Sequence, residues 1–243
     1  SLEKRILYGG LPPALLKNEI DHEFYSEWLD SFYARDVQEV FAIDKRQAFL
    51  KVLEFLLIQN GQLIEATEIA RASGLSRPTI IKYLEILELT KAVTILKPFS
   101  GNPLKEIVAQ PKIYGFDTGF VCFAKKDAQL GSSEKGYLLE NLVLESMQAQ
   151  PLAQQIYFLR DKLGHEIDFI IHNGKKDILT IECKSQKRNF NAKNLSIFRK
   201  SYPHGENIVV TLEDTDHLEK SESLNIRFMG IQQFFHFLQR SAK

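Results

Sequence analysis

Apolar side chains in the first half of the chain recur every three or four residues, which is the spacing of one face of an α-helix. Residues 24–33 and 49–57 both follow this spacing. We therefore predict two amphipathic helices, the second ending near Asn60-Gly61, a dipeptide suited to a helix C-terminus. Residues 65–72 predict a third, shorter helix.

A tight turn and a capped helix follow. Ser73-Gly74 supplies the turn, Ser76 offers an N-cap hydroxyl, and Pro78 suits the first helical turn. Runs of β-branched and apolar residues at 93–96 and 112–114, separated by a loop around Gly101-Asn102-Pro103, predict a β-hairpin. Two helices joined by a turn and followed by a hairpin predict a winged helix-turn-helix domain.

The outer face of the second of these helices is predicted to contact nucleic acid. It would carry Arg77, Thr79, Lys82 and Tyr83, whose side chains suit phosphate and base-edge contacts. Between residues 45 and 113, ten Lys and Arg outnumber six Asp and Glu. Two alternatives stay open, because many winged helices bind proteins and a mixed-charge helix face is also typical of an ordinary solvated surface.

The pattern changes after Gly131-Ser132-Ser133 from helices to mixed elements, so we place the main domain boundary there. In chain order, the elements predicted after it are a helix at 136–147, strands at 156–159, 165–171 and 178–184, a helix at 191–200, a strand at 208–211, an edge strand at 226–229 and a terminal helix at 232–238. The whole chain is therefore predicted to be α+β.

Charged residues interrupt two of these apolar strands. Asp168 lies among apolar neighbours, and Glu182 and Lys184 share one face of the next strand because side chains alternate. If the two strands pair, Asp168 and Glu182 converge and form the oxygen-rich site that Mg²⁺ prefers. A metal there can activate water and stabilise charge on a phosphodiester, assisted by the lysine. We therefore predict Asp168, Glu182 and Lys184 as catalytic residues of phosphodiester hydrolysis, with Mg²⁺ or Mn²⁺ as cofactor.

Glu140, on the helix before these strands, is the third predicted metal ligand beside Asp168 and Glu182. Glu166 shares the Asp168 face and is expected to be an outer ligand or a substrate contact. Simpler interpretations stay open: Glu140 can cap an exposed helical stripe, and Asp168 with Lys184 can form a plain cross-strand ion pair.

Composition narrows the function classes. The 31 basic and 31 acidic residues give no overall bias toward a polyanion or a membrane, so a nucleic-acid site must come from local charge segregation. Cys122 and Cys183 are too few for a disulfide framework, and no stretch approaches a membrane span. We expect a soluble cytoplasmic protein. The chain begins with Ser1 and has no Gly-x-x-x-x-Gly-Lys-Ser/Thr phosphate loop, so we expect a fragment of a longer protein that does not hydrolyse ATP alone.

Six motifs, in this order, resemble the C-terminal region of a bacterial and archaeal family of AAA+ ATPases that end in a winged helix and a restriction-endonuclease-like domain. They are LYGGLPPA at 7–14, YARDV at 33–37, PKIYGFDTG at 111–119, GYLLEN at 136–141, EIDF at 166–169 and IECKS at 181–185.

This resemblance implies three segments: residues 1–44 as a helical linker from a missing ATPase domain, 45–130 as the winged helix, and 131–243 as a PD-(D/E)xK nuclease-like α/β/α domain with a mixed central sheet. The metal-site acids and lysine of that nuclease group map onto Glu140, Asp168, Glu182 and Lys184. The resemblance also implies ATP binding in the full-length protein alone, possible oligomers through the ATPase domain, and DNA or a protein as partner.

Overall fold

The computed structural model describes residues 1–17, 19–99, 110–126, 131–150, 155–172, 177–221 and 223–241. It divides into two compact units, residues 1–95 with 110–130, and residues 96–109 with 131–243. Helices and strands occur in both units, which confirms the predicted α+β class.

The first unit is mainly helical. Its elements in chain order are α1 (Leu2–Tyr8), α2 (Pro12–Leu16), α3 (His22–Phe32), a π-helical segment (Tyr33–Gln38), α4 (Glu39–Phe41), α5 (Arg46–Ile58), α6 (Ala66–Ser73), α7 (Arg77–Leu89), β1 (Val93–Leu96), β2 (Lys112–Gly115) and α8 (Thr118–Ala124). The strands β1 and β2 form a two-stranded sheet. The helices predicted from apolar spacing are confirmed, whereas α1, α2 and α8 were not predicted.

The predicted turn and cap between α6 and α7 are confirmed. Gly74 ends α6 with φ +71°, a left-handed conformation that favours glycine. The Ser76 hydroxyl accepts a hydrogen bond from the backbone N–H of Thr79 at 3.3 Å, and Pro78 lies in the first turn of α7. The predicted hairpin loop at Gly101-Asn102-Pro103 lies outside the described residues.

A buried carboxylate joins the N-terminal segment to α8. Asp117 accepts hydrogen bonds from the backbone N–H groups of Gly10 at 2.7 Å and Gly119 at 2.8 Å. Arg5 adds an ion pair, with its Nη1 at 3.6 Å from Asp117 Oδ2. A Cβ added at Gly119 would lie 2.3 Å from Tyr25 Oη, so a larger side chain does not fit without a shift. The two motifs that contain these residues therefore meet in space.

The second unit is built on a six-stranded mixed sheet in the order β3-β4-β5-β6-β8-β7. Its elements in chain order are α9 (Ser132–Gln148), β3 (Ile156–Arg160), β4 (Glu166–Ile171), β5 (Leu179–Lys184), a 3-10 turn (Lys187–Asn189), α10 (Lys193–Ser201), β6 (Asn207–Thr211), β7 (Asp216–Ser221), β8 (Leu224–Gly230) and α11 (Ile231–Ser241). The strands β5, β6 and β8 run parallel, and the other neighbours pair antiparallel.

Two details of this unit differ from the sequence prediction. The strand expected at the edge, β8, lies between β6 and β7, and β7 itself was not predicted. The segment after β1 also joins this unit, because the Phe99 N–H donates to the Phe158 carbonyl at 2.6 Å and the Phe158 N–H donates to the Lys97 carbonyl at 3.2 Å. Part of the predicted wing therefore belongs to the second unit.

One buried guanidinium connects the C-terminal end of α10 to the first residues of β5 and β6. Arg199 donates to the carbonyl oxygens of Tyr202 at 3.2 Å, His204 at 2.7 Å, Ile178 at 2.9 Å and Glu206 at 2.8 Å, and to Asn207 Oδ1 at 2.8 Å. Burial lowers the pKa of Arg199 to about 10, which leaves it charged at neutral pH. The side chain therefore satisfies backbone acceptors at which β5 and β6 begin.

Both cysteines, Cys122 and Cys183, are buried, and neither forms a disulfide bond. Across the part of the chain that the structure describes, no helix combines the length and the low polarity needed to cross a membrane.

We predict that Arg199→Met lowers the free energy of unfolding by about 3 kcal/mol or more, because several buried carbonyl groups lose a charged donor. Lys200→Met, at the exposed next position, should change it by less than about 0.5 kcal/mol. Urea unfolding followed by circular dichroism measures both variants. Equal losses would show that the Arg199 contacts contribute nothing specific.

Candidate functional site

The candidate site lies where β4 and β5 stop pairing. Their antiparallel register matches Phe169 with Ile181 and runs from there toward the turn. Continued by one residue in the other direction, this register sets Asp168 opposite Glu182. The predicted pairing of the two strands is confirmed, while the connecting turn lies outside the described residues.

At this point a side chain takes over from the backbone hydrogen bonds that join β4 and β5. Asp168 Oδ2 accepts a hydrogen bond at 2.7 Å from the backbone N–H of Cys183, which points from β5 toward β4. The Asp168 carboxylate thus takes the place of a strand carbonyl. Because an unpaired buried N–H is costly, this bond holds the carboxylate against β5.

The three residues predicted to be catalytic are brought together. Lys184 Nζ lies 2.7 Å from Glu182 Oε2 and 3.5 Å from Asp168 Oδ2. Asp168 and Glu182 are only 5% and 4% exposed, whereas 26% of the Lys184 side chain reaches solvent. Alternation along β5 accounts for the contact, since it sets Glu182 and Lys184 on one face.

Burial and the crowding of like charges raise the pKa of Glu182. Burial and the neighbouring Asp168 carboxylate raise the pKa of Glu182 to about 8, and the charge of Glu166 acts in the same direction. Burial lowers the pKa of Lys184, but the charges of Asp168 and Glu182 outweigh it, so the net shift is upward. The ammonium therefore stays charged, while Glu182 takes up a proton as pH falls through about 8.

Glu140 is buried on α9, which packs against β5. Glu140 lies close enough to act electrostatically on the Cys183 thiol. The pKa of this thiol is raised mainly by burial, next by the charge of Asp168 and then by that of Glu140. Among the described residues, no three His, Cys, Asp or Glu form a group arranged to hold a metal ion. The role of Glu140 as a third ligand therefore stays a prediction.

The two other predicted ligands, Asp168 and Glu182, have carboxylate oxygens that are compatible with Mg²⁺ binding. This ion is commonly bound through one or two carboxylates, with waters and substrate phosphate filling the other positions. Asp168 and Glu182 supply two buried carboxylates, and an added cation relieves the repulsion that raises the pKa of Glu182. These two residues could hold the ion.

The predicted nucleic-acid face of α7 is only partly at the surface. Arg77 and Lys82 are exposed, and Thr79 is half-buried with its hydroxyl 2.7 Å from Ser76 Oγ. The outer-face position predicted for Tyr83 is wrong.

Tyr83 is 3% exposed, and its ring lies 5.0 Å from that of Phe49. It follows Ile80 by three positions and precedes Leu87 by four, so helical spacing places it on the buried stripe. The same apolar periodicity that predicted the helix could have assigned Tyr83 correctly.

A groove that sequence reasoning missed begins two residues after Lys184. It has a volume of about 470 Å³ and is lined by Gln186, Lys187, Arg188, Phe190 and Glu213. Lys187 pairs with Glu219 and donates its backbone N–H to Glu213 at 2.9 Å. The sequence feature that could have indicated this groove is the basic pair Lys187-Arg188, which follows the Glu-x-Lys strand after two residues.

The perturbed Glu182 makes stability depend on pH. Its folded-state pKa is raised to about 8 from an ordinary 4.5, so the protonated form favours folding and this stabilisation is lost as pH rises through 8. Without divalent ions, the melting temperature of Glu182→Gln should therefore rise by a few degrees relative to that of wild type as pH increases from 4.5 to about 8. Differential scanning fluorimetry measures the gain, with the exposed Glu206→Gln as control. A constant difference at every pH would contradict the expectation.

Comparisons with known proteins place the chain in a family. A family model described as "Domain of unknown function (DUF8612)" matches residues 1–132, and one described as "Domain of unknown function (DUF4143)" matches residues 135–233. The chain is similar to "Uncharacterized protein Mb2031c" of Mycobacterium bovis and "Uncharacterized protein Rv2008c" of Mycobacterium tuberculosis. Each is 26% identical over 176 residues, which is 68% of this chain and 39% of the relative. The chain thus spans about two fifths of the length of these curated relatives.

One solved structure has a weak likeness, "Refined half-complex from tetradecameric assembly of Thermococcus gammatolerans McrB AAA+ hexamers with bound McrC". It matches with a TM-score of 0.31 and 12% identity, over 78% of this chain and 52% of that chain. This TM-score is too low to support an argument about fold or function. The first family model spans more than half of the 243 residues, and the chain therefore belongs to the family described as "Domain of unknown function (DUF8612)".

Proposed function

We propose that the second unit is a metal-dependent phosphodiester-cleaving module of the PD-(D/E)xK type. The observation that carries the proposal is the convergence of Asp168, Glu182 and Lys184 at the point where β4 and β5 separate. Two carboxylates on neighbouring strands with a lysine two residues after the second are the donor set that such chemistry needs.

Each residue has a role that follows from its contacts. Asp168 and Glu182 would hold Mg²⁺ or Mn²⁺, which supplies activation of water and charge stabilisation when bound. Asp168 is kept in place by the Cys183 N–H. Lys184 is charged, partly exposed and flexible, so its ammonium can reach a phosphodiester and neutralise charge that develops there.

The first unit is proposed to be a winged helix that binds DNA through α7. The proposal is supported by the turn between α6 and α7, by the two-stranded sheet that follows, and by the exposed Arg77 and Lys82. A groove of about 520 Å³ in the same unit is lined by three basic side chains, Lys45, Arg46 and Lys51, and one acidic one, Asp44, so its lining carries more positive than negative charge. Thr79 is retained as a contact, and Tyr83 is not.

The chain is also proposed to be the C-terminal part of an AAA+ ATPase, on the strength of its six sequence motifs. Its matches span only about two fifths of the curated relatives, which is compatible with a further domain in proteins of this kind. In this proposal ATP is bound outside the present chain, oligomers form through the ATPase domain, and the protein acts in the cytoplasm.

A second candidate function is a non-catalytic interaction module for DNA or a protein. The observation in its favour is that Lys184 already pairs with both carboxylates, as a purely structural ion pair would.

Cleavage of single-stranded, duplex and branched DNA with Mg²⁺ or Mn²⁺ separates the two candidates. We expect wild type and the exposed-surface control Asp177→Asn to cleave, and Asp168→Asn and Lys184→Met to lose about 100-fold or more. If wild type binds DNA but cleaves none of the substrates, the chain is an interaction module and the nuclease proposal is wrong.

DNA binding by the first unit has its own test. Arg77→Ala and Lys82→Ala should each weaken DNA binding. Each should also reduce the slope of log affinity against log salt concentration by about one, since one fewer counterion is released. Lys126→Ala, which removes a lysine with a 79% exposed side chain, is the control. Fluorescence anisotropy at several salt concentrations measures the slopes. Equal effects of all three substitutions would exclude α7 as the binding face.

A further inference from the structure

The Lys184 ammonium contacts the two carboxylates that are proposed to bind the metal ion. Its Nζ lies 2.7 Å from Glu182 Oε2 and 3.5 Å from Asp168 Oδ2, so it sits between the same two carboxylates that would hold a metal ion. A positive charge at this position offsets part of the negative charge of the pair, and it repels a divalent cation brought beside it. The lysine and the ion therefore compete for one place.

The carboxylates cannot easily rearrange to accept both cations. Asp168 Oδ2 is also bound to the Cys183 N–H at 2.7 Å, and both acids are almost fully buried on strands of the sheet. Lys184 is the mobile partner, since it has a flexible four-carbon stem and 26% of its side chain is exposed. Binding of a divalent ion thus requires the ammonium, rather than the acids, to move.

We infer that Lys184 gates metal binding at this site: it blocks the divalent ion in the free protein and leaves the carboxylates when a phosphodiester offers its ammonium another anion. This inference rests on the proposed function. Metal and substrate then bind cooperatively, because each favours the state in which Lys184 has left Glu182. Thermodynamic linkage requires the effect to be reciprocal, so the metal also strengthens substrate binding.

The gate has a consequence for the chemistry of the site. Without substrate, the ammonium occupies the space between the acids and offsets part of their charge, so the site has low affinity for free divalent ions. With substrate, the ammonium lies at the phosphate and the acids are released to the metal. The same movement therefore places the lysine where it can stabilise charge and assembles the site only when a substrate is present.

Mg²⁺ affinity, measured by isothermal titration calorimetry, tests this inference without relying on activity. The titrations use the full chain as wild type, Lys184→Met and Lys184→Arg, and they are repeated at rising pH until the wild-type affinity no longer changes with pH. We expect Lys184→Met to bind Mg²⁺ about tenfold tighter than wild type, and Lys184→Arg to resemble wild type. Circular dichroism checks that the variants are folded.

The second arm adds a cleavage-resistant phosphorothioate oligonucleotide. It should raise the Mg²⁺ affinity of wild type about tenfold more than that of Lys184→Met, in which only direct contact between phosphate and metal remains. An equal increase in the two proteins would contradict the gate. A methylphosphonate oligonucleotide of the same sequence is the matched control, because it lacks the backbone charge that would attract the ammonium. Titration of each oligonucleotide alone corrects for its own Mg²⁺ binding.

The outcomes separate the inference from the proposed function. If wild type binds Mg²⁺ and Lys184→Met binds it equally or more weakly, the gate is wrong while the metal site stands. If neither wild type nor Lys184→Met binds Mg²⁺, the metal site itself is wrong and the gate falls with it. Equal enhancement by both oligonucleotides would also overturn the gate.

Discussion

Two carboxylates buried side by side need a positive charge, and the organisation of the second unit follows from that requirement. Asp168 and Glu182 are brought together by the antiparallel pairing of β4 with β5. The strand β5 then continues far enough to return Lys184 to the same face, where its ammonium contacts both acids. Because β5 is also flanked by β6 in parallel register, the strand is held on both sides and the acids cannot separate to reduce their repulsion.

Sequence patterns predicted this core of the site because they depend on local rules. Alternation along a strand sets Glu182 and Lys184 on one face, and a short connection favours antiparallel pairing of the two strands. The strand β7 escaped prediction because its residues are mostly exposed and do not alternate. It becomes a strand through pairing with β8, which also moves β8 from the predicted edge to the interior of the sheet.

Other parts of the fold depend on contacts between distant residues. The sequence marks Gly10, Asp117 and Gly119 within motifs, but the bond between Gly10 and Asp117 spans 107 positions and no local pattern predicts it. The place of Glu140 relative to β5 likewise depends on how α9 packs. The error at Tyr83 is of another kind, since its helical spacing was informative and its polar hydroxyl was given too much weight.

The charge balance of the site argues against a purely structural ion pair. One acid and one lysine would satisfy each other, and a second buried acid raises the electrostatic cost, as the pKa of about 8 at Glu182 shows. Glu166 adds a third negative charge that acts on Glu182 in the same direction. Above about pH 8, where Glu182 is ionised, a single ammonium therefore faces an excess of negative charge. A divalent cation would compensate this excess more fully than the ammonium does. Without such a cation, keeping the two carboxylates buried lowers the stability of the fold, and binding of the cation would restore it.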